Sequence, residues 1–313
     1  MIRLLPFSLH ETEQYLEGKG VQLSRAGIAE LYLALGGVAA YLDMVRPGMS
    51  TAQIIGDRIF NPDSLLYGEF DRLFKSLFAK SDLHVRVIKT LMRKREGMNR
   101  EALFREAGIE SGSVRNRVKK ELIESGFMAE TPLFGSRKKG SFLRLVDEYS
   151  IFYLKWQREM RNSRVPPRPD LWLMLQNSAS WKSWSGYAFE SLCHNHIHQI
   201  ASALGISGII HSWSSWRYVP QRGKEDGVQI DMVIDRSDNC INLCELKFHS
   251  GPFTVTKAYA AKLLYKKEKF IEVTGTKKTV FLTLITGSGA KENMHFHHAV
   301  NNQLRLEDLF AAV

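Results

Sequence analysis

Three side chains in the last third of the chain have the types and spacing to act on a phosphate ester. Asp231 lies in the run QIDMVID, and Glu245 and Lys247 lie in INLCELKF. The turn-rich segment Arg236-Ser237-Asp238-Asn239-Cys240 between them predicts an antiparallel hairpin. With the register centred on Asp238, Asp235 faces Ile241, Val233 faces Leu243 and Asp231 faces Glu245. Strand alternation then puts Lys247 on the same face as the two acids. Opposed carboxylates repel. The lysine offsets part of that repulsion, and a divalent cation offsets more. Hard oxygen ligands suit Mg²⁺ or Mn²⁺, and such an ion polarises a phosphate oxygen and activates water. The lysine would position that water or stabilise charge on phosphorus. The competing reading is a surface aspartate opposite a surface Glu-Lys pair. Against it, Ile230, Met232, Val233, Ile234, Leu243 and Cys244 make the stretch too apolar for a free surface strand, and burial makes unpaired charge expensive.

These residues need a scaffold, and the sequence around them reads as mixed α/β. Residues 182–204 have helical apolar spacing through Phe189, Cys193, Ile197, Ile200 and Leu204, with Glu190 flanking the stripe. Strands are predicted over 209–219, 228–235 and 241–249, a basic helix over 255–272, and a buried strand over 278–286.

The whole chain has 313 residues, enough for two or three domains at roughly 100–200 residues each. Its 44 % apolar content excludes disorder throughout. The formal charge of +10 favours an anionic partner. That excess is localised. Residues 71–164 hold 22 Lys+Arg against 12 Asp+Glu, while the remainder holds 21 of each. Three cysteines are too few for a disulfide framework and fit a reducing compartment. No apolar run is long enough to span a membrane and the N-terminus does not read as a signal peptide. A cytoplasmic protein with no membrane partner is expected.

Residues 1–79 read as helical. Ser8 and Glu11 form a capping box for a helix to Gly18, a second helix runs from Ser24 to Tyr41 with Gly36-Gly37 inside it, and residues 64–79 are amphipathic. Residues 80–165 read as helix, helix, turn, helix and β-hairpin, with Asn99 capping the second helix and Gly126 closing the third. That order looks like a winged helix-turn-helix. Its third helix presents Arg115, Arg117, Lys119 and Lys120, and its hairpin tip presents Arg137, Lys138 and Lys139. These are candidate nucleic-acid contacts, with a protein-docking winged helix as the rival. The segment SRVPPRPD breaks structure and marks the last boundary, giving domains 1–79, 80–165 and 166–313.

Asp231 followed by Glu245-Leu246-Lys247 resembles the D…ExK signature of the PD-(D/E)XK nuclease superfamily, with Ile230 in place of the signature's proline. The resemblance implies that Asp231 and Glu245 hold metal, Lys247 serves the water and Glu190 supports them. More broadly, RLLPFSLHETEQYL, LALGGVAAYLDMV, LVDEYSIFYLKW, WSGYAFESLC and QIDMVIDR…INLCELKF resemble, in order, archaeal-type P-loop ATPases that carry a winged helix and a C-terminal nuclease-like domain. The fold so implied is an all-α lid, a winged helix-turn-helix, and an α/β restriction-endonuclease-like domain with a mixed central sheet. No GxxxxGK[ST] occurs. On this resemblance the chain would correspond to the portion of such a protein beyond its ATPase core, as a natural truncation or a fragment, and no ATP site is expected on it. Double-stranded DNA is the expected partner, with a separate ATPase head or self-association as further ones.

Other signals are weaker. His194 and His198 have a helical zinc spacing with no matching second pair. Trp181, Trp184, Trp213 and Trp216 suit either base stacking or core packing. Lys257, Lys262, Lys266, Lys267 and Lys269 could track phosphate, though acidic residues elsewhere cancel their charge. Three functions stay open on sequence: a metal-dependent nuclease, a silent nucleic-acid-binding or regulatory module with the same fold, and a protein scaffold.

Overall fold

A computed structural model describes residues 5–94, 97–135, 141–161, 166–220, 227–248 and 251–313. The chain is an α/β protein with a mixed sheet. It divides into two compact units, residues 1–130 with 141–188, and residues 131–140 with 189–313. Among the described residues no helix is long and apolar enough to cross a membrane.

The first unit opens with α1 (Leu9–Gly18), whose Ser8–Glu11 capping box forms as expected. The helix expected from Ser24 to Tyr41 is instead two, α2 (Arg25–Leu35) and α3 (Ala39–Leu42). Gly36 ends α2 at φ +67°, a conformation that favours glycine. Gly37 lies so close to Phe7 that an added Cβ would stand 2.0 Å from the Phe7 carbonyl oxygen. Then come α4 (Thr51–Ile55), a π-helical turn at Gly56–Phe60, and α5 (Glu69–Leu77). The helix expected over 64–79 starts late because Gly68, at φ +80°, precedes it in the left-handed region.

The basic segment continues as α6 (Ser81–Arg93), a short strand β1 (Met98–Asn99), α7 (Arg100–Glu106) capped by Asn99, α8 (Gly112–Glu124), β2 (Met128–Pro132) and β3 (Ser141–Leu145). The strands make a sheet in the order β1-β3-β2. Beyond them lie α9 (Glu148–Phe152), a second π-helical turn at Tyr153–Gln157, α10 (Arg158–Arg161), α11 (Leu171–Leu175) and the start of α12 (Ala179–Asn195). Trp156, Trp172, Trp181 and Trp184 are buried and in ring contact with one another. Two of the tryptophans weighed for base stacking are therefore core.

In the second unit, the helix expected over 182–204 breaks at His196 into the end of α12 and α13 (Ile197–Ala203). The His196 ring donates from Nδ1 to the Leu192 carbonyl at 2.8 Å. His194 and His198 thus sit on different helices. The strands are β4 (His211–Tyr218), β5 (Val228–Arg236), β6 (Cys240–Lys247), β7 (Phe253–Thr254), β8 (Thr279–Thr286), β9 (Ala290–Lys291) and β10 (Asn302–Arg305). Helices α14 (Lys257–Thr274) and α15 (Met294–Ala299) and a 3-10 helix at Leu306–Phe310 complete it. The main sheet runs β10-β8-β6-β5-β4. β10, β8 and β6 are parallel, and β6, β5 and β4 antiparallel.

One face of this sheet and α14 share a core of Ile230, Val233, Leu243, Leu282, Leu263 and Phe270. Each such buried side chain contributes about 1.5–3 kcal/mol. Trp216 packs edge-on to Phe270. Leu133 bridges Ser215, and Phe134 lies on Phe270 with ring centroids 4.9 Å apart. The residues leading from β2 towards 136–140 therefore belong to this core.

Candidate functional site

The site is built on the β5–β6 hairpin. Asn239 takes φ +64° in the turn, which an Asn tolerates well. The turn fixes the expected register, with Asp235 opposite Ile241 and Val233 opposite Leu243. The paired residues end at Met232 opposite Cys244, one short of Asp231.

The reason is visible on the other edge of β5. Ser214 pairs with Val233, but Trp216 pairs with Ile230. Asp231 and Met232 together therefore face only Ser215, which is a β-bulge. A bulge bends its strand and re-aims a side chain. Here the Asp231 carboxylate accepts a hydrogen bond from the backbone N–H of Leu246 at 3.1 Å. Its side chain fills the place where the ladder opens. Strict alternation cannot foresee this.

Glu245 is 6 % exposed and both its oxygens are engaged. Lys247 Nζ lies 3.1 Å from Oε1, and Lys266 Nζ lies 2.6 Å from Oε2. Tyr259 Oη donates to Oε1 at 2.9 Å. Lys266 and Tyr259 stand on α14, seven residues and about two turns apart, so both reach the same point on the sheet. Lys266 is thus turned inward onto Glu245 and is not placed to track phosphate. The Tyr259–Lys266 spacing was the available signal.

The charges are strongly interdependent. Burial and the neighbouring Glu245 charge raise the Asp231 carboxyl above its ordinary range, against the pull of Lys266 and Lys247. Burial would also raise Glu245, but Lys266 and Lys247 overcome it and hold its carboxyl low. Burial would lower Lys247, yet Glu245 and then Asp231 keep its ammonium more firmly protonated than usual. Glu190, half-buried on α12, adds to that hold on Lys247. Burial and the Asp231 charge push the Cys244 thiol up to about 12, so it is an inert neighbour. Asp231, Glu245, Lys247 and Glu190 thus act within one electrostatic neighbourhood.

Among the described residues no cluster of three or more His, Cys, Asp or Glu is placed to hold a metal ion. The available donor set is the carboxylate pair. Among those residues Asp231 makes no hydrogen bond through its second oxygen, whereas Glu245 has both oxygens occupied. In type the pair fits a hard cation, which would take over the compensation that Lys266 and Lys247 give Glu245.

The candidate nucleic-acid contacts lie on α8 in the first unit. Arg115 donates to the Ile109 carbonyl at 2.6 Å and to Glu101 at 2.9 Å. Lys119 pairs with Glu130 at 2.7 Å. Lys120 is exposed, with Glu124 at 3.7 Å, and Arg117 is exposed with no partner among the described residues. Two of the four cations are therefore tied down and two face solvent. Arg137, Lys138 and Lys139 lie outside the described residues.

No family model matches this chain, and no curated protein matches it in sequence.

Proposed function

We propose that this chain is a nucleic-acid-binding protein whose second unit is a divalent-metal-dependent phosphodiesterase of the PD-(D/E)XK type. The single observation that carries this reading is the bulge at Asp231-Met232, which aims one carboxylate at the backbone between Glu245 and Lys247. Bulges are over-represented beside active sites, and a charge-coupled carboxylate pair next to a lysine is a poor device for stability alone.

Asp231 and Glu245 would hold Mg²⁺ or Mn²⁺, with Glu190 in support. When bound, that ion supplies Lewis-acid stabilisation of charge on a phosphate ester. Lys247, kept protonated by its acidic neighbours, donates to a phosphate oxygen and neutralises charge gathering on phosphorus. Tyr259 and Lys266 fix the Glu245 rotamer, so the acid does not swing away between turnovers.

The order α6, α7, α8, β2, β3, with β1 added to the sheet, supports a winged helix-turn-helix in the first unit. Its exposed Arg117 and Lys120 would meet the backbone of duplex DNA, its partner on this reading. The helices before it would be the lid of an archaeal-type ATPase, working with a separate ATPase head or a second copy. ATP hydrolysis by this chain is not part of the proposal.

Lys247 and Lys266 already compensate Glu245 without a metal, as a silent nucleic-acid-binding or regulatory module retaining the fold would require. Incubation of plasmid DNA with Mg²⁺, Mn²⁺ or EDTA separates the two. The nuclease reading requires metal-dependent cutting by the wild type that Asp231→Ala abolishes. No cutting by the wild type, or equal cutting by the variant, leaves the silent module.

A further inference from the structure

A second cluster of charge lies in the first unit, far along the chain from the carboxylate pair. Two cavities of about 280 Å³ each have Lys89 and Arg158 in the walls of both. Each volume is close to the lower end of the roughly 300–1,000 Å³ of ligand pockets. Their walls come from α6, from the π-helical turn at Tyr153–Gln157 with α10 and, in one of the two, from Phe70 and Asp71 of α5. π-helical turns are rare and frequent at functional sites.

The charges in these walls do not balance locally. The cavities contain two carboxylates, and each is already met. Asp71 accepts hydrogen bonds from Tyr153 Oη at 3.1 Å and Arg161 at 3.2 Å. Glu159 is paired with Lys155 at 3.1 Å. The side chains of Lys89 and Arg158, both half-buried, make no hydrogen bond or ion pair among the described residues, and neither does that of Arg93 at the rim. Burial and the neighbouring Arg158 charge depress the Lys89 ammonium, although Asp71 and Asp82 pull the other way. Two like charges held together in a concave site whose own carboxylates are already paired are relieved by an anion. A guanidinium fork beside a compact ammonium suits the tetrahedral oxygens of phosphate.

We propose that this cleft binds a phosphate group, with Lys89 and Arg158 as anchors, Arg93 at the rim, and the Tyr153–Arg161–Asp71 network holding the wall in place. The proposal is independent of the nuclease reading, since it uses no residue of the second unit. The phosphate belongs either to a free phosphate ester or to a nucleic-acid backbone, and the experiment tells these apart.

The test uses the full chain with inorganic phosphate and pyrophosphate as probes, against chloride at matched ionic strength. Phosphate is expected to raise Tm by the linkage between binding and folding. Calorimetric titration should show Lys89→Gln and Arg158→Gln each weakening phosphate binding by tenfold or more. Lys291→Gln, at an exposed cation of the second unit, should leave it unchanged. Without phosphate, Lys89→Gln should melt at or above the wild-type temperature, because it removes a repulsion; a merely structural lysine would give a lower one. Duplex binding measured with and without saturating phosphate assigns the source. Competition beyond that of chloride identifies a backbone phosphate, and unchanged duplex binding identifies a free ester; both agree with the site. A Tm that phosphate and chloride move equally, or unaltered phosphate affinity in Lys89→Gln and Arg158→Gln, overturns it.

Discussion

The Asp231 carboxylate on the bulged strand accepts its hydrogen bond from Leu246, the residue between Glu245 and Lys247. This contact makes one neighbourhood of two acids and a lysine. It also keeps a half-buried carboxylate close to a second one, which strains the ionised form of Asp231. In EDTA at neutral pH, Asp231→Asn should therefore keep the acceptor and raise Tm, while metal-dependent cleavage is lost. A variant that melts lower than wild type would show the carboxylate to be a structural anchor.

The Glu245 carboxylate depends on α14. Removing one partner of a buried ion pair costs about 3–5 kcal/mol, and Lys247 remains on the same acid. Lys266→Met is thus expected at the low end of that range in chemical denaturation. Tyr259→Phe removes one hydrogen bond to a charged group and should cost roughly 1.5–3 kcal/mol. Losses within error for both would mean that α14 does not hold Glu245 in solution.

On α8 the four cations should divide into two kinds. Arg117→Ala and Lys120→Ala should each reduce the slope of log affinity for duplex DNA against log salt by about 1, with little change in Tm. Arg115→Ala should instead lower Tm, because it releases the Ile109 carbonyl and Glu101. Equal slopes for all variants would remove α8 from the interface.

Stability should respond to pH through Asp147, which caps α9 by accepting from the Ser150 N–H at 2.7 Å. Burial raises its carboxyl against the pull of that hydrogen bond. A raised folded value favours the protonated form in the native state. Its contribution is complete below the unfolded value of about 3.9 and is lost as pH climbs through the folded value. Asp147→Asn keeps an acceptor for the cap. Its Tm advantage over wild type should grow from about pH 4 upward and then level off. Parallel Tm–pH curves would contradict this.

Close packing at Gly37 gives a steric prediction. Its Cβ position lies against the Phe7 backbone, which cannot move as a side-chain tip can. Gly37→Ala should cost roughly 1–3 kcal/mol or more, read as a lower denaturation midpoint. An unchanged midpoint would mean that the segment at Phe7 is loosely held.

Sequence alone determined what depends on neighbours a few residues away. The Ser8 and Asn99 caps, the apolar stripes and the turn that sets Asp235 against Ile241 are local, because helix and strand geometry repeat over three to four or two residues. Those same rules placed Asp231, Glu245 and Lys247 on one hairpin. The tertiary structure decided what depends on distant partners. The bulge at Asp231-Met232 exists only in the pairing of β5 with β4, and Glu245 is held by donors 14 and 21 residues further on. Glu101 and Glu130 tie down half the charge on α8, while Lys89 and Arg158 meet across a cleft. Periodicity gives the direction a side chain leaves its own element, but burial and charge depend on what the rest of the chain brings to meet it.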